Sequence, residues 1–399
     1  MPLKLLALFF IVYLCSCSDG EPVNMGPEDE MEIMPLNDTI RFASYNVSMF
    51  GNFEGQIAGQ MDNANQFARY KRLGAVIQDV RPDVLVLMEF DYDSTGESLR
   101  KFNDVLLAES QNGDEPLSYK YHYQFASNTG VLSPVDMSNN GVIQLPEDAF
   151  GFGNFPGQYA SAILSNIELD IDSMRTFQKF LWKDMPDAKL PINSDGSSYY
   201  SDEALEHFRL SSKNHVDLPL VFTNGQRIHA LISHPTPPVF DGAEDRNGKR
   251  NHDEIRMWAD YVNGASYLYD DVGESGGLKP DASFILFGDL NADPLDGDSF
   301  DGAVNQLLDD TKFNADIALG DLIPASNGGA EHNQRNGDIG DPAFDTSFFG
   351  LRIYYVLPSS DLKVVGSGVY WPSSTEENHA IVDDGRASDH LLVWADLAL

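Results

Sequence analysis

The chain has 399 residues, of which 42% are hydrophobic and 22% charged, so it can bury a large core and is not disordered as a whole. Its 62 acidic and 26 basic residues give a formal net charge of −36. Affinity for nucleic acid comes largely from Lys and Arg, so this balance disfavours nonspecific binding to DNA or RNA, although a local basic cleft could survive it. An acidic surface adapted to a saline habitat explains the same charge.

Residues 1–17, MPLKLLALFFIVYLCSC, carry Lys4 ahead of an apolar run from Leu5 to Leu14. That run is too short to span a bilayer as a resident helix and reads as a secretory signal peptide. The ending Leu14-Cys15-Ser16-Cys17 resembles a bacterial lipobox, with Cys17 as the lipidated residue, and the Ser-Asp-Gly-Glu after it resembles a surface-export signal of some Gram-negative lipoproteins. A plain cleaved signal is the alternative. The expected location is the cell envelope or the extracellular space, with a lipid anchor in the outer membrane. Both cysteines, Cys15 and Cys17, lie here, so the remainder has no disulfide, thiol nucleophile or thiolate metal site. Residues 18–38, rich in Pro, Glu, Asp, Met and Asn, read as a flexible tether. Residues 39–399 read as a single domain, with no linker or repeat.

Within that domain, strands are predicted at 40–47 (IRFASYNV), 83–90 (DVLVLMEF), 160–167 (ASAILSNI), 218–222 (LPLVF), 227–234 (RIHALISH), 282–290 (ASFILFGDL), 352–357 (RIYYVL) and 391–397 (LLVWADL). Asn224-Gly225 predicts a tight hairpin between two of them. Helical patterns cover 63–80, 252–266 and about 301–309. Strands interleaved with helices predict an α/β (α+β) domain built on mixed sheet covered by helices.

Side chains alternate between faces along a strand. By that rule Asp289 shares a face with Ile285 and Phe287, and Asn291 continues it. Glu89 continues the face of Leu85 and Leu87, His234 that of Ile228, Ala230 and Ile232, and Asn46 that of Phe42 and Ser44. Each of these strands thus ends in a polar group on its apolar face. Burying such groups is costly unless they bond to one another or to a cation. Oxygen ligands without cysteine favour Mg²⁺, Mn²⁺ or Ca²⁺ over zinc. Asp389 and His390 stand side by side before the last strand and project to opposite sides.

In order, Ser-Tyr-Asn-Val (44–47), Val-Leu-Met-Glu-Phe (86–90), Ser-His-Pro (233–235), Gly-Asp-Leu-Asn-Ala-Asp-Pro (288–294) and Ser-Asp-His (388–390) resemble the motifs of the endonuclease/exonuclease/phosphatase superfamily, over roughly 40–399. The resemblance implies a four-layer sandwich, two packed mixed β-sheets flanked by helices in a single domain, that cleaves phosphoesters with Mg²⁺ or a similar ion. It implies that Glu89 is the main metal ligand and that Asn46 and Asp389 complete the metal or phosphate environment. Asp289 would orient or deprotonate the attacking water, and Asn291 would hold a phosphate oxygen. His234 would donate to the phosphoryl group or assist the leaving oxygen, and His390 would contact the phosphate. One departure stands out. The family reads Arg-Ile-Asp-Tyr-Val-Leu where this chain reads Arg-Ile-Tyr-Tyr-Val-Leu (352–357), so Tyr354 replaces the carboxylate that partners the last His. Asp345 is the nearby candidate to substitute; otherwise activity is reduced.

Residues 235–256 read as a loop beside the site, with Arg250 and Asn251 as a phosphate clamp or, alternatively, as solvated charges paired with the loop's own acids. Lys213 and His215, in 209–219, are further candidates to reach a substrate phosphate, and 178–191 reads as an insertion whose Trp182 forms part of a rim. The expected function is a metal-dependent phosphatase or phosphodiesterase that hydrolyses extracellular phosphate esters. The alternatives are an extracellular endonuclease on DNA or RNA, and a catalytically weakened binding lipoprotein of the same fold.

Overall fold

Val84-Leu85-Val86-Leu87-Met88 is apolar at every position, the pattern of a strand covered on both faces. In the computed structural model, which describes residues 39–332 and 338–399, it forms a strand in the interior of a sheet. The signal peptide, Cys17 and the tether at 18–38 lie outside the described residues.

The first sheet has six strands: β1 (Ile40–Met49), β2 (Val84–Phe90), β3 (Tyr121–Phe125), β4 (Ser161–Ser165), β11 (Lys363–Val369) and β12 (Val393–Ala398), in the order β11-β12-β1-β2-β4-β3. The second also has six: β5 (Glu168–Leu169), β6 (Arg175–Thr176), β7 (His215–Val221), β8 (Arg227–Ser233), β9 (Ser283–Asp289) and β10 (Tyr354–Pro358). Their order is β10-β9-β8-β7-β5, with β6 beside β7. Both sheets are mixed: β1 runs parallel to β2 and β8 parallel to β9, while every other pairing is antiparallel. The predicted strands are all present. The strands not predicted, β3, β5, β6 and β11, are short or lie at sheet edges, where alternation is weak.

The sheets pack face to face. Phe42 of β1 meets Phe287 of β9 with ring centroids 6.3 Å apart, and both rings are buried. The β7–β8 connection is the predicted hairpin. Phe222 and Gln226 pair across Thr223-Asn224-Gly225, and Gly225 has φ 84°, the left-handed geometry glycine adopts without strain. Helices flank the sandwich, among them Ala68–Val80 and Arg246–Val262. None among the described residues is long and apolar enough to cross a membrane.

The helix predicted from 252 begins instead at Arg246, so much of the segment read as a loop is its first turns. The reason is polar burial. Arg250, Asn251 and Glu254 share the inward face with Trp258 and Tyr261, so a pattern counted in apolar residues starts too late. Trp182 is likewise no rim residue: its ring is fully buried and Nε1 donates to Asp253 Oδ2 at 2.7 Å. The helical pattern near 301–309 resolves into two short pieces, Phe300–Gly302 and Asn305–Leu308.

Phe287→Ala would open a cavity between the sheets and should lower stability by about 3–5 kcal/mol, read as a reduced urea midpoint at unchanged slope.

Candidate active site

The strand ends converge at one edge of the sandwich. Asp289, at the end of β9, is buried, and its Oδ2 accepts from Asn46 Nδ2 of β1 at 3.3 Å. The same oxygen lies 3.6 Å from His234 Nε2 and 3.7 Å from His390 Nδ1. Glu89 Oε1, at the end of β2, stands 4.0 Å from His234 Nε2. Asn46, Glu89, His234, Asp289 and His390 therefore form one cluster contributed by both sheets. Asn291 enters it by a route that alternation does not describe. The strand stops at Asp289, and Asn291 N donates to Asp289 Oδ1 at 3.1 Å within a tight turn. Its side chain then donates to Pro235 O at 3.1 Å.

The backbone is strained here. Ser48, Glu89 and Asn291 have φ of 45°, 55° and 53°, in the left-handed region that side chains other than glycine adopt infrequently. The β1–β2 register also shifts between Asn46 and Met49. This irregularity carries Ser48 to the cluster, where its hydroxyl donates to Asp389 Oδ1 at 3.0 Å. Asp389 is exposed, 3.9 Å from His390 Nε2, and Ser388 Oγ donates to Asn46 O at 2.7 Å. Ser48, just past the Ser-Tyr-Asn-Val stretch, carries no periodic signal in the sequence, and Ser388 enters there only as the first residue of Ser-Asp-His.

Tyr354 faces this cluster from β10, paired in register with Asp289. Its ring lies 5.4 Å from that of His390, and its hydroxyl is buried without a hydrogen-bond partner. Burial pushes the phenol well above its usual pKa, so it brings no charge. Asp345 does not replace the missing carboxylate. The acids beside His390 are Asp289 and Asp389, whereas Asp345 lies among Asp293, Asp296, Asp338 and Asp341. Burial and then those like charges push its carboxyl up to about 7.

The clamp expected from Arg250, Asn251 and His215 is an internal brace. Arg250 Nε donates to Leu210 O, and its Nη2 donates to Phe150 O and Arg209 O, at 2.7–2.9 Å. Asn251 Nδ2 donates to Thr236 O and Leu290 O, both at 2.8 Å, tying the loop after His234 to the turn after Asp289. His215 is buried, with one ring nitrogen 2.9 Å from Ser211 Oγ and the other 2.9 Å from Glu254 O. Both ring nitrogens of His215 and both amide hydrogens of Asn251 are thus used on the protein itself, whereas Arg250, braced through Nε and Nη2, also lines the cleft. Glu254, not anticipated, accepts from Ser212 N and Thr236 N, both at 2.6 Å. Lys213 does reach the site: half-buried, it lines the same cleft as Glu89 and Asp289.

Burial raises the carboxyl pKa of Glu89 and of Asp289, opposed by His390 and Lys213. Burial also lowers Lys213, and it pushes His234 well below its usual range with help from the Lys213 charge, so His234 is neutral at pH 7. The Nδ1 atoms of His234 and His390 are buried and make no hydrogen bond within the chain. The cleft above has a volume of about 970 Å³. Among the described residues no three His, Cys, Asp or Glu side chains group closely enough to hold a metal alone. The donors present, the Glu89 and Asp389 carboxylates and the Asn46 amide, fit a hard cation that keeps several waters, as Mg²⁺ does, rather than a four-ligand zinc. One buried and one half-buried carboxylate, both with raised pKa values, and unpartnered imidazole nitrogens suit a cation beside an anionic ligand.

The model of the Endonuclease/Exonuclease/phosphatase family matches residues 43–390. Among solved structures, the chain is similar to an endonuclease/exonuclease/phosphatase from Beutenbergia cavernae (16% identity over 90% of this chain and 71% of that one, TM-score 0.47). It is also similar to the human Nocturnin catalytic domain with bound sulfate (14%, 90% and 93%, TM-score 0.42) and to a mannosyl-6-phosphatase from Bacteroides thetaiotaomicron (13%, 90% and 99%, TM-score 0.43). No curated protein sequence matches it.

Because the carboxyl pKa of Asp345 is raised on folding, the unfolded chain gives up that proton first, and this residue's contribution to stability falls as pH rises from about 4 to 7. Asp345→Asn removes the ionisation. It should raise Tm at pH 8 by about 2 °C and by less at pH 5, measured by thermal unfolding at both.

Proposed function

The chain belongs to the Endonuclease/Exonuclease/phosphatase family, and from that premise we propose that it is a divalent-metal-dependent phosphoesterase. The observation that carries the reading is the buried Asp289 carboxylate, in contact with Asn46, His234 and His390 at the base of a cleft that also holds Glu89 and Lys213. Glu89, Asp389 and Asn46 would hold the ion, Mg²⁺ or alternatively Mn²⁺ or Ca²⁺. When bound, it supplies charge neutralisation at the phosphoryl oxygens.

The side chains supply the rest. Asp289, with its pKa raised by burial, is a stronger base than an exposed carboxylate and takes a proton from the attacking water. Asn291 and His390 hydrogen-bond phosphoryl oxygens, and neutral His234 donates one N–H to a phosphoryl or leaving oxygen. Lys213 adds a cation to a site otherwise dominated by acids. Water attacks phosphorus, the ester P–O bond breaks, and the alcohol departs with the proton balance closed by solvent.

We further propose a setting and a substrate size. The export-type leader and Cys17 support a lipid-anchored enzyme at the cell envelope or outside the cell, acting on small or medium phosphate esters. The net charge of −36 supports such esters over long nucleic acids. Tyr354 in place of a carboxylate beside His390 favours one further reading, a weakened family member that binds more than it turns over.

Phosphate release from mono- and diesters, assayed beside plasmid nicking with Mg²⁺, Mn²⁺, Ca²⁺ or chelator, tests this. We expect turnover of small esters that chelator abolishes and that Asp289→Ala reduces about 100-fold or more. Wild type and variant equally inert on every substrate would overturn the enzymatic reading.

A further inference from the structure

The cleft lining is rich in rings. Phe240 is 87% exposed and Phe152 is 65% exposed, yet both line the cleft, as do Tyr159, Tyr199 and Phe349. Phe349 and His390 meet edge to face with centroids 5.5 Å apart, so one of these rings stands at the phosphate end of the site.

Phe240 is held there against its own preferences. Its φ of 66° lies in the left-handed region, an outlier for a bulky side chain. Asn247 Nδ2 donates to Val239 O at 2.6 Å and Arg246 Nη2 to Phe240 O at 3.1 Å. Asn247 N donates to Asp241 Oδ2 at 2.7 Å, and Pro235, Pro237 and Pro238 stiffen the approach. Nothing in the free protein favours fixing a strained backbone so that a phenyl ring faces water; a ligand that covers the ring does. The cleft lining also carries Glu147, Asp293, Asp296 and Asp298, which repel a polyanion.

We propose that Phe240 and Phe152 form a subsite for a planar ring system on the alcohol side of the substrate, so that the preferred ester is a single-phosphate nucleotide rather than a simple sugar phosphate or a nucleic-acid strand. The proposal rests on the phosphoesterase reading for where the phosphate sits. A base has apolar faces that stack on Phe240 and Phe152, whereas a polyol would bring hydroxyls to phenyl rings that offer them no partner. One phosphate reaches Lys213 and the histidines without further phosphates meeting the acids of the lining.

The test compares adenosine 5′-monophosphate with ribose 5-phosphate, which share a phosphate on the primary 5-carbon of ribose and differ by the base. Dissociation constants by titration calorimetry and kcat/KM are measured on the purified protein with Mg²⁺. Expected is a Kd about tenfold lower for the nucleotide. Phe240→Ala and Phe152→Ala should each remove most of that preference while leaving ribose 5-phosphate within about twofold, the signature of lost stacking on these exposed rings. Equal affinity for the two ligands, no binding of either, or variants that weaken both alike would overturn the subsite. A nucleotide preference in binding without turnover of either ligand would sustain the subsite and overturn the hydrolytic reading instead.

Discussion

Glu254 has no access to water, and a carboxylate so enclosed is tolerated only if fixed donors replace its hydration. Ser212 N and Thr236 N do so, and they belong to the segments that carry Lys213 and His234. Arg250 and Asn251, on the same helical face, fasten 209–210 and the turn after Asp289. The demands of one buried anion and its neighbours thereby fix the mutual spacing of three chain segments that build the cleft. In a protein of this fold, where polar groups come from the ends of different strands, such a brace keeps loops as exact in position as the strands beneath them.

The cluster itself has the opposite character. Glu89 and Asp289 are acids brought into a poorly hydrated place, flanked by imidazoles with nitrogens that bond to nothing in the chain. Left-handed backbone at Ser48, Glu89 and Asn291 marks the same spot. Left-handed backbone and unpartnered imidazole nitrogens thus coincide where the sandwich opens, above the packed rings of Phe42 and Phe287. That coincidence suits a ligand-binding surface.

Much of this was legible in the residues. Alternation located Asn46, Glu89, His234 and Asp289 at strand ends because buried strands obey a strict period of two. It missed the left-handed turn through which Asn291 arrives, since a period says nothing about where a strand stops. Arg250 and Asn251 read as a phosphate clamp or as solvated charges, because charge in a sequence looks the same whether it meets a ligand, water or a carbonyl. His215 misled for the same reason: an imidazole beside Lys213 resembles a ligand until its two nitrogens are seen to be occupied. Asp345 is near in sequence to β10 and Tyr354 but lies in an acidic neighbourhood of its own.

The register of the first sheet has a consequence for how the molecule is made. Ile40 pairs with Leu397, so the first strand of the domain completes its ladder only with the last, and Asp389 and His390 sit just ahead of that closing strand. A ribosome that has delivered everything up to β11 has delivered a sheet with an open seam at β1 and a cleft lacking two of its polar groups. The cleft therefore gains its last polar groups only as β12 closes the first sheet, whereas every strand of the second sheet precedes that step.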